Sequence, residues 1–276
     1  MLGALIIVFR EVLEAALVIG VVAAAVEGLP HRGRLVAAGV GLGALGAALV
    51  ASGIDVISGF ANGTGQELFG AGVLFAAGLM LAWHNVWMAK HGREMTSKLK
   101  TLGADVIAGR ASVVMLLAVT ALAVMREGSE IALFLYGIAA SGVQGLQLLI
   151  GSILGLACGV AAGFVLYAGL SRIPLKRLFQ VSGAIILLIA AGMIARGAEF
   201  LVQAGYVPPL IPRVWDSSAI LSGNGILGRS LAALVGYTPA PSLTQVLVWI
   251  ASFAAIGGLM LVKSEGFKLK RAEAVG

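Results

Sequence analysis

Arg10-Glu11-Val12-Leu13-Glu14 lies inside an apolar run that begins at Leu2 and ends near Val26. A charge at the centre of a bilayer costs about 2.5–3.5 kcal/mol on insertion scales. The pattern returns as Arg126-Glu127-Gly128-Ser129-Glu130, again within an apolar run. On a helix, residues three and four apart share a face. Glu11 and Glu14 then point the same way, and Arg10 can pair with Glu14. Glu127, Glu130 and Arg126 repeat that spacing. Two such helices brought together present four carboxylates around a small volume, with Arg10 and Arg126 balancing charge. That suits a hard, oxygen-seeking cation. The bland alternative is two salt bridges that only fix helix register. The recurrence of the motif favours a cation pathway.

Composition sets the class. Of 276 residues, 59% are hydrophobic and 12% charged, against about 25% charged in soluble domains. The chain reads as an all-α, polytopic membrane protein in the lipid bilayer. Its 39 glycines suit close helix packing through small residues. The net charge of +6 belongs to loops beside apolar spans, so topology explains it and no nucleic-acid partner is implied. The single Cys158 excludes an internal disulfide or thiolate cluster. No basic segment precedes the first run, which therefore reads as a span and not as a cleaved signal.

A span needs about 20 mainly apolar residues. Seven transmembrane helices are expected, over 2–26, 35–57, 68–89, 111–139, 146–170, 178–204 and 243–262. The segment 205–241 is rich in Pro and Gly and reads as extracytoplasmic or interfacial, with a short helix over 219–235. Residues 263–276 form a basic tail. Lys and Arg set orientation. One side receives Arg32 and Arg34, then Lys90, Arg93, Lys98, Lys100 and Arg110, then Arg172, Lys176 and Arg177, and the tail. The other side receives Arg213 and Arg229. The N-terminus is thus expected outside and the C-terminus in the cytoplasm.

Spans one to three (1–90) and four to six (111–204) read as a repeat within a single domain, 1–276. Each set opens with an Arg-Glu-x-x-Glu motif. Leu68-Phe69 and Gly78-Leu79-Met80 align loosely with Leu178-Phe179 and Gly192-Met193-Ile194. Three spans per unit make the two units inverted in the membrane, a transporter architecture with its site near the midplane. Helix seven lies outside the repeat.

These features resemble the oxidase-dependent ferric iron permeases, the fungal high-affinity iron permeases and bacterial EfeU-type transporters. The resemblance rests on the paired motifs. It extends to Gln66-Glu67-Leu68-Phe69, Trp83 to Met88, Asp216-Ser217-Ser218-Ala219, and Gly236-Tyr237 through Ala240-Pro241-Ser242. It covers nearly the whole chain. Val12 departs from it, since the family usually has Gly there, and a β-branched residue would tighten or shift the neighbouring helix. The resemblance implies ferric iron uptake across the cytoplasmic membrane, with Glu11, Glu14, Glu127 and Glu130 as ligands. It also implies an extracytoplasmic partner: a copper oxidase in fungi, an iron-binding protein and a haem peroxidase in bacteria. Iron is then the transported substrate, and no cofactor is expected.

Other candidates are weaker. Asp55, Glu67 and Asp216 on the outer side would attract a cation, or are simply solvated. Glu199, with Arg196, either lines the pathway or forms an i, i+3 pair near the outer interface. His84, near the inner end of span three, is an exit ligand or a hydrogen-bonding interfacial residue. Trp83 and Trp87 read as aromatic belt. Two rival functions remain: transport of ferrous iron, manganese or lead, which oxygen ligands alone do not exclude, and a membrane enzyme using paired carboxylates. No Ser-His or Cys-His pairing within the spans supports the enzyme.

Overall fold

The computed structural model describes the backbone outside residues 28–30, 60–65, 169–174, 224 and 274–276. It further leaves out the side chains of 32, 54–59, 66, 89–96, 100, 175–176, 178, 226, 233 and 262–273. Among the described residues there are helices and no strands. In chain order these are α1 (Leu2–Ala25), α2 (Arg32–Gly59), α3 (Gln66–Ile107), α4 (Val113–Ala140), α5 (Gly145–Tyr167), α6 (Leu175–Gln203), α7 (Ile226–Val235) and α8 (Leu243–Glu273).

Among the described residues, five segments are long and apolar enough to cross a membrane: Gly33–Gly53, Glu67–Met88, Gly145–Tyr167, Phe179–Gln203 and Leu243–Leu261. At 1.5 Å per residue, α1 and α4 also exceed the ~30 Å of a hydrocarbon core. Each carries three charged side chains midway.

Small residues decide the packing. α5 presents Gly151, Gly155, Gly159 and Gly163, four apart and all buried, to α1. A methyl group on Gly155 would lie 2.6 Å from the Leu5 carbonyl oxygen, and one on Gly163 would lie 2.5 Å from Ala16 Cβ. α2 meets α4 in the same manner: a methyl on Gly43 would lie 2.5 Å from the Ala121 carbonyl oxygen. Without Cβ atoms the backbones approach closely, which is how helices gain dispersion contacts in lipid. α3 packs along α6, and α6 in turn holds α7 and α8.

α3 and α6 are the central helices, whereas α2, α5 and α8 turn mostly outward. Outward side chains such as Leu45, Leu49, Leu149, Ile153 and Phe164 are exposed, as a lipid-facing surface requires. One apolar core joins Ile7, Leu74, Leu81, Phe134, Ile138, Ile186 and Ile189. A second joins Val22, Val26, Leu99, Val106 and Leu116.

That second core explains a departure from the expected boundaries. A loop was expected after residue 89, yet α3 continues to Ile107. Leu99, Leu102 and Val106 keep an apolar face that packs on the ends of α1 and α4. Hydropathy marked where the apolar run ends, but the helix persists because one face still has something to bury. α8 likewise runs past Val262 to Glu273. The short helix expected over 219–235 is α7, which stops at Gly236 with φ +70°, a left-handed value that glycine adopts without cost. Gly236 also lies backbone to backbone against Gly192 of α6, so α7 is held directly on the central helix.

Candidate metal centre

Three helices supply the centre. α1 and α4 bring their motifs side by side, and α3 places His84 between them. Arg10 Nε donates to Glu14 Oε1 at 2.8 Å, and Arg126 Nε donates to Glu130 Oε1 at 2.9 Å. Both are the i, i+4 pairs that the spacing requires. His84 Nε2 lies 3.2 Å from Glu14 Oε2 and 3.7 Å from Glu11 Oε2. His84 Nδ1 lies 2.5 Å from Glu130 Oε2. One imidazole thus links the two motifs.

All five residues are buried: Glu11 is 0% exposed, Glu14 and His84 3%, Glu127 and Glu130 5%. Ligand atoms of Glu11, His84, Glu127 and Glu130 fall within 4.8 Å of one another. Among the described residues, both Glu11 oxygens, Glu127 Oε2 and Glu130 Oε2 have no hydrogen-bond partner. A buried carboxylate oxygen without a partner is costly unless it meets a proton or a cation. The three carboxylates that carry these oxygens are the ones whose ligand atoms gather with His84, a donor set that could hold a cation. The arginines differ. Arg10 is buried, while the Arg126 side chain is 35% exposed and lies over the Trp87 ring, 4.9 Å from its centroid.

The remaining candidates lie elsewhere. Glu67 is exposed in the first turn of α3. Asp216 is exposed in the loop before α7, where hydrogen bonds from the Ser218 hydroxyl and backbone N–H, and then Arg213, hold its carboxyl below the ordinary range. Asp55 lies outside the described residues, as its side chain is not described. Glu199 accepts from Ser242 Oγ at 2.7 Å and belongs to a separate polar group. In that group Gln245 Nε2 donates to Thr238 Oγ1 at 2.9 Å, and Arg196 Nη1 lies 3.5 Å from the same oxygen. Trp215, Tyr237, Gln245 and Trp249 line an adjoining cavity of about 220 Å³.

The sequence reading put His84 near the end of a span, and the apolar segment does end at Met88. The packing of α3 adds that His84 lies level with both motifs, against Glu14 and Glu130. The available signal was a basic ring placed one helix away from an unmatched set of acids. Trp87, read as belt, lies one turn further along α3 and carries Arg126.

The fold and the centre together define a class: a helical protein with membrane-length apolar helices and a buried cluster of carboxylates and one imidazole where its helices meet. Within that class, the chain belongs to the Iron permease FTR1 family, whose profile matches residues 1–273. It is 32% identical over 249 residues to the ferrous iron permease EfeU of Escherichia coli O6:K15:H31, covering 88% of this chain and 89% of the relative. It is 30% identical over 249 residues to the ferrous iron permease EfeU of Yersinia pestis, covering 88% and 87%. No solved structure matches the chain.

Proposed function

We propose that this protein imports ferric iron across the cytoplasmic membrane along a path lined by Glu11, Glu14, Glu127 and Glu130. The observation that carries this reading is the cluster of unpartnered, buried carboxylate oxygens on α1 and α4. Crowded carboxylates favour a hard, highly charged ion, and Arg10 and Arg126 offset their charge when no ion is bound. In this reading α1 to α6 and α8 are seven spans, with the N-terminus outside. The first three and the second three form inverted units. Their interlocked packing supports that arrangement: α1 lies along α5 as α4 lies along α2, and α3 lies against α6. An iron-binding protein, oxidase or peroxidase delivers the ion at the outer face.

A second reading, ferrous iron, has its own support. The motifs hold four carboxylates against two guanidiniums, so a divalent ion cancels the remainder. The imidazole of His84 stands in the donor group, and the two relatives carry ferrous in their names. Uptake of radiolabelled ferric and ferrous iron into proteoliposomes separates the readings. Glu127→Gln and Glu130→Gln are each expected to lower uptake at least about tenfold, the range seen when a metal site loses one of its supports. Full uptake in both variants would remove the motifs from the path.

A further inference from the structure

The two motifs match in sequence, but their second glutamates are not equivalent. Glu14 has both oxygens engaged: Oε1 accepts from Arg10 at 2.8 Å and Oε2 faces His84 Nε2 at 3.2 Å. Glu130 engages only Oε1, with Arg126, and its Oε2 has no hydrogen-bond partner among the described residues. The imidazole makes the difference. Arg126 Nη2 lies 3.1 Å from His84 Nδ1 in hydrogen-bonding geometry. With the imidazole neutral, that contact requires a lone pair on Nδ1, since a guanidinium has no acceptor, and leaves the ring proton on Nε2, directed at Glu14. Glu130 Oε2, 2.5 Å from Nδ1, lacks hydrogen-bond alignment with it. At 2.5 Å, Nδ1 and Glu130 Oε2 are close enough for one ion to draw on both. The free oxygens of Glu11 and Glu127 complete the group.

We propose that His84 binds the transported ion through Nδ1, together with Glu11, Glu127 and Glu130, and that Glu14 orients the imidazole from behind without touching the ion. This rests on reading the motif carboxylates as the iron site. Metal-bound histidines regularly donate their second ring N–H to a carboxylate, which fixes tautomer and orientation. Glu14 stands in that place, and Arg10 holds it there. On binding, the ion takes the Nδ1 lone pair from Arg126, whose partly exposed side chain stays on Trp87. An imidazole among carboxylates also confers selectivity. It suits iron and other transition metals, while calcium and magnesium prefer an all-oxygen shell.

Pulsed EPR on the purified full chain tests this, with the protein loaded with Fe(III), or with Fe(II) as its nitrosyl adduct. Nitrogen coupling from one imidazole is expected. Growth on ¹⁵N-histidine should convert it to the ¹⁵N pattern, in a parent protein that needs no variant to fold. Only three histidines are present, and His84→Gln should abolish the coupling. Glu14→Gln should keep the coupling while iron affinity falls about 10–100-fold, as for other orienting partners. Glu127-dependent iron binding without nitrogen coupling, or coupling that survives His84→Gln, would overturn the assignment and leave the iron site standing. Iron binding that ignores Glu127→Gln would instead overturn the iron-site reading itself.

Discussion

The two motif helices solve one packing problem with opposite residues. On α1, the residue after the first glutamate is Val12, and α5 faces it with Gly159. On α4, the matching residue is Gly128, and α2 faces it with Ala47. A methyl on Gly159 would lie 2.8 Å from Val12 Cβ, and a methyl on Gly128 would lie 2.5 Å from Ala47 Cβ. Each contact pairs one glycine with one larger side chain, and the glycine has changed helix. The quantity held constant is the closeness of the two backbones, since that keeps the carboxylates of each motif at their shared centre. Val12 is therefore no loosening of the motif. Gly159 accommodates it from the other side.

The arginines break the symmetry further, and the largest predicted effect lies there. Arg10 is sealed in, with Nε on Glu14. Arg10→Gln removes the guanidinium from buried Glu14 and leaves it only His84, a change that costs about 3–5 kcal/mol in buried pairs. Arg126 is a third exposed and gains from Trp87. Arg126→Gln should cost about 1 kcal/mol, the scale of a partly exposed pair or a cation–π contact. Thermal unfolding of the two variants in detergent measures the gap. Equal losses would mean that the centre is more symmetric in energy than in geometry.

The next effect tests the exchanged glycine directly. Gly159→Ala should destabilise by about 1–3 kcal/mol, as overpacked cores do. Val12→Gly should cost about 1 kcal/mol in helix propensity, plus its lost contacts. Combining them rebuilds on α1 and α5 the pairing that α4 and α2 already use. The double variant should be more stable than the sum of the singles predicts, with a coupling of about 0.5–3 kcal/mol. Strict additivity would show that Val12 and Gly159 do not answer one another.

How much of this was legible from residues follows from where each signal lives. The motif pairs were readable because i, i+4 spacing alone puts Arg10 on Glu14 and Arg126 on Glu130. The meeting of α1 and α4 followed from the cost of six charges in apolar surroundings. His84 does lie near the end of the apolar segment Glu67–Met88, but its place beside both motifs was not legible, because it depends on how α3 packs against α1 and α4. Lys90 and Arg93 end the apolar run, but Leu99 and Val106 still have an apolar surface to cover, so the helix goes on. The role of Gly159 was not legible at all. A glycine four residues from other glycines says that a face is thin, not which helix fills it. The unequal standing of Glu14 and Glu130 was also hidden, because it depends on a ring from a third helix.

The smallest effect separates contacts that distance alone would rank together. On α2, Gly43 and Gly46 both lie against α4, and methyl groups on them would approach neighbours at 2.5 and 2.7 Å. At Gly43 the nearest atoms are the Ala121 carbonyl oxygen, Val124 Cβ and the Met125 backbone nitrogen. None of these can move without moving α4. At Gly46 the nearest atoms are Sδ and Cγ of Met125, the end of an unbranched side chain that refills space readily. Gly43→Ala should therefore cost about 1–3 kcal/mol and shift α4 relative to α1. Gly46→Ala should cost well under about 1 kcal/mol, since the gain of alanine over glycine in a helix offsets the small displacement. Because Gly43 sets the α2–α4 spacing, only Gly43→Ala should also weaken iron uptake. If both variants lose uptake equally, then Met125, one residue before the motif, is held as tightly as the backbone, and the α4 side is the stiffer of the two halves.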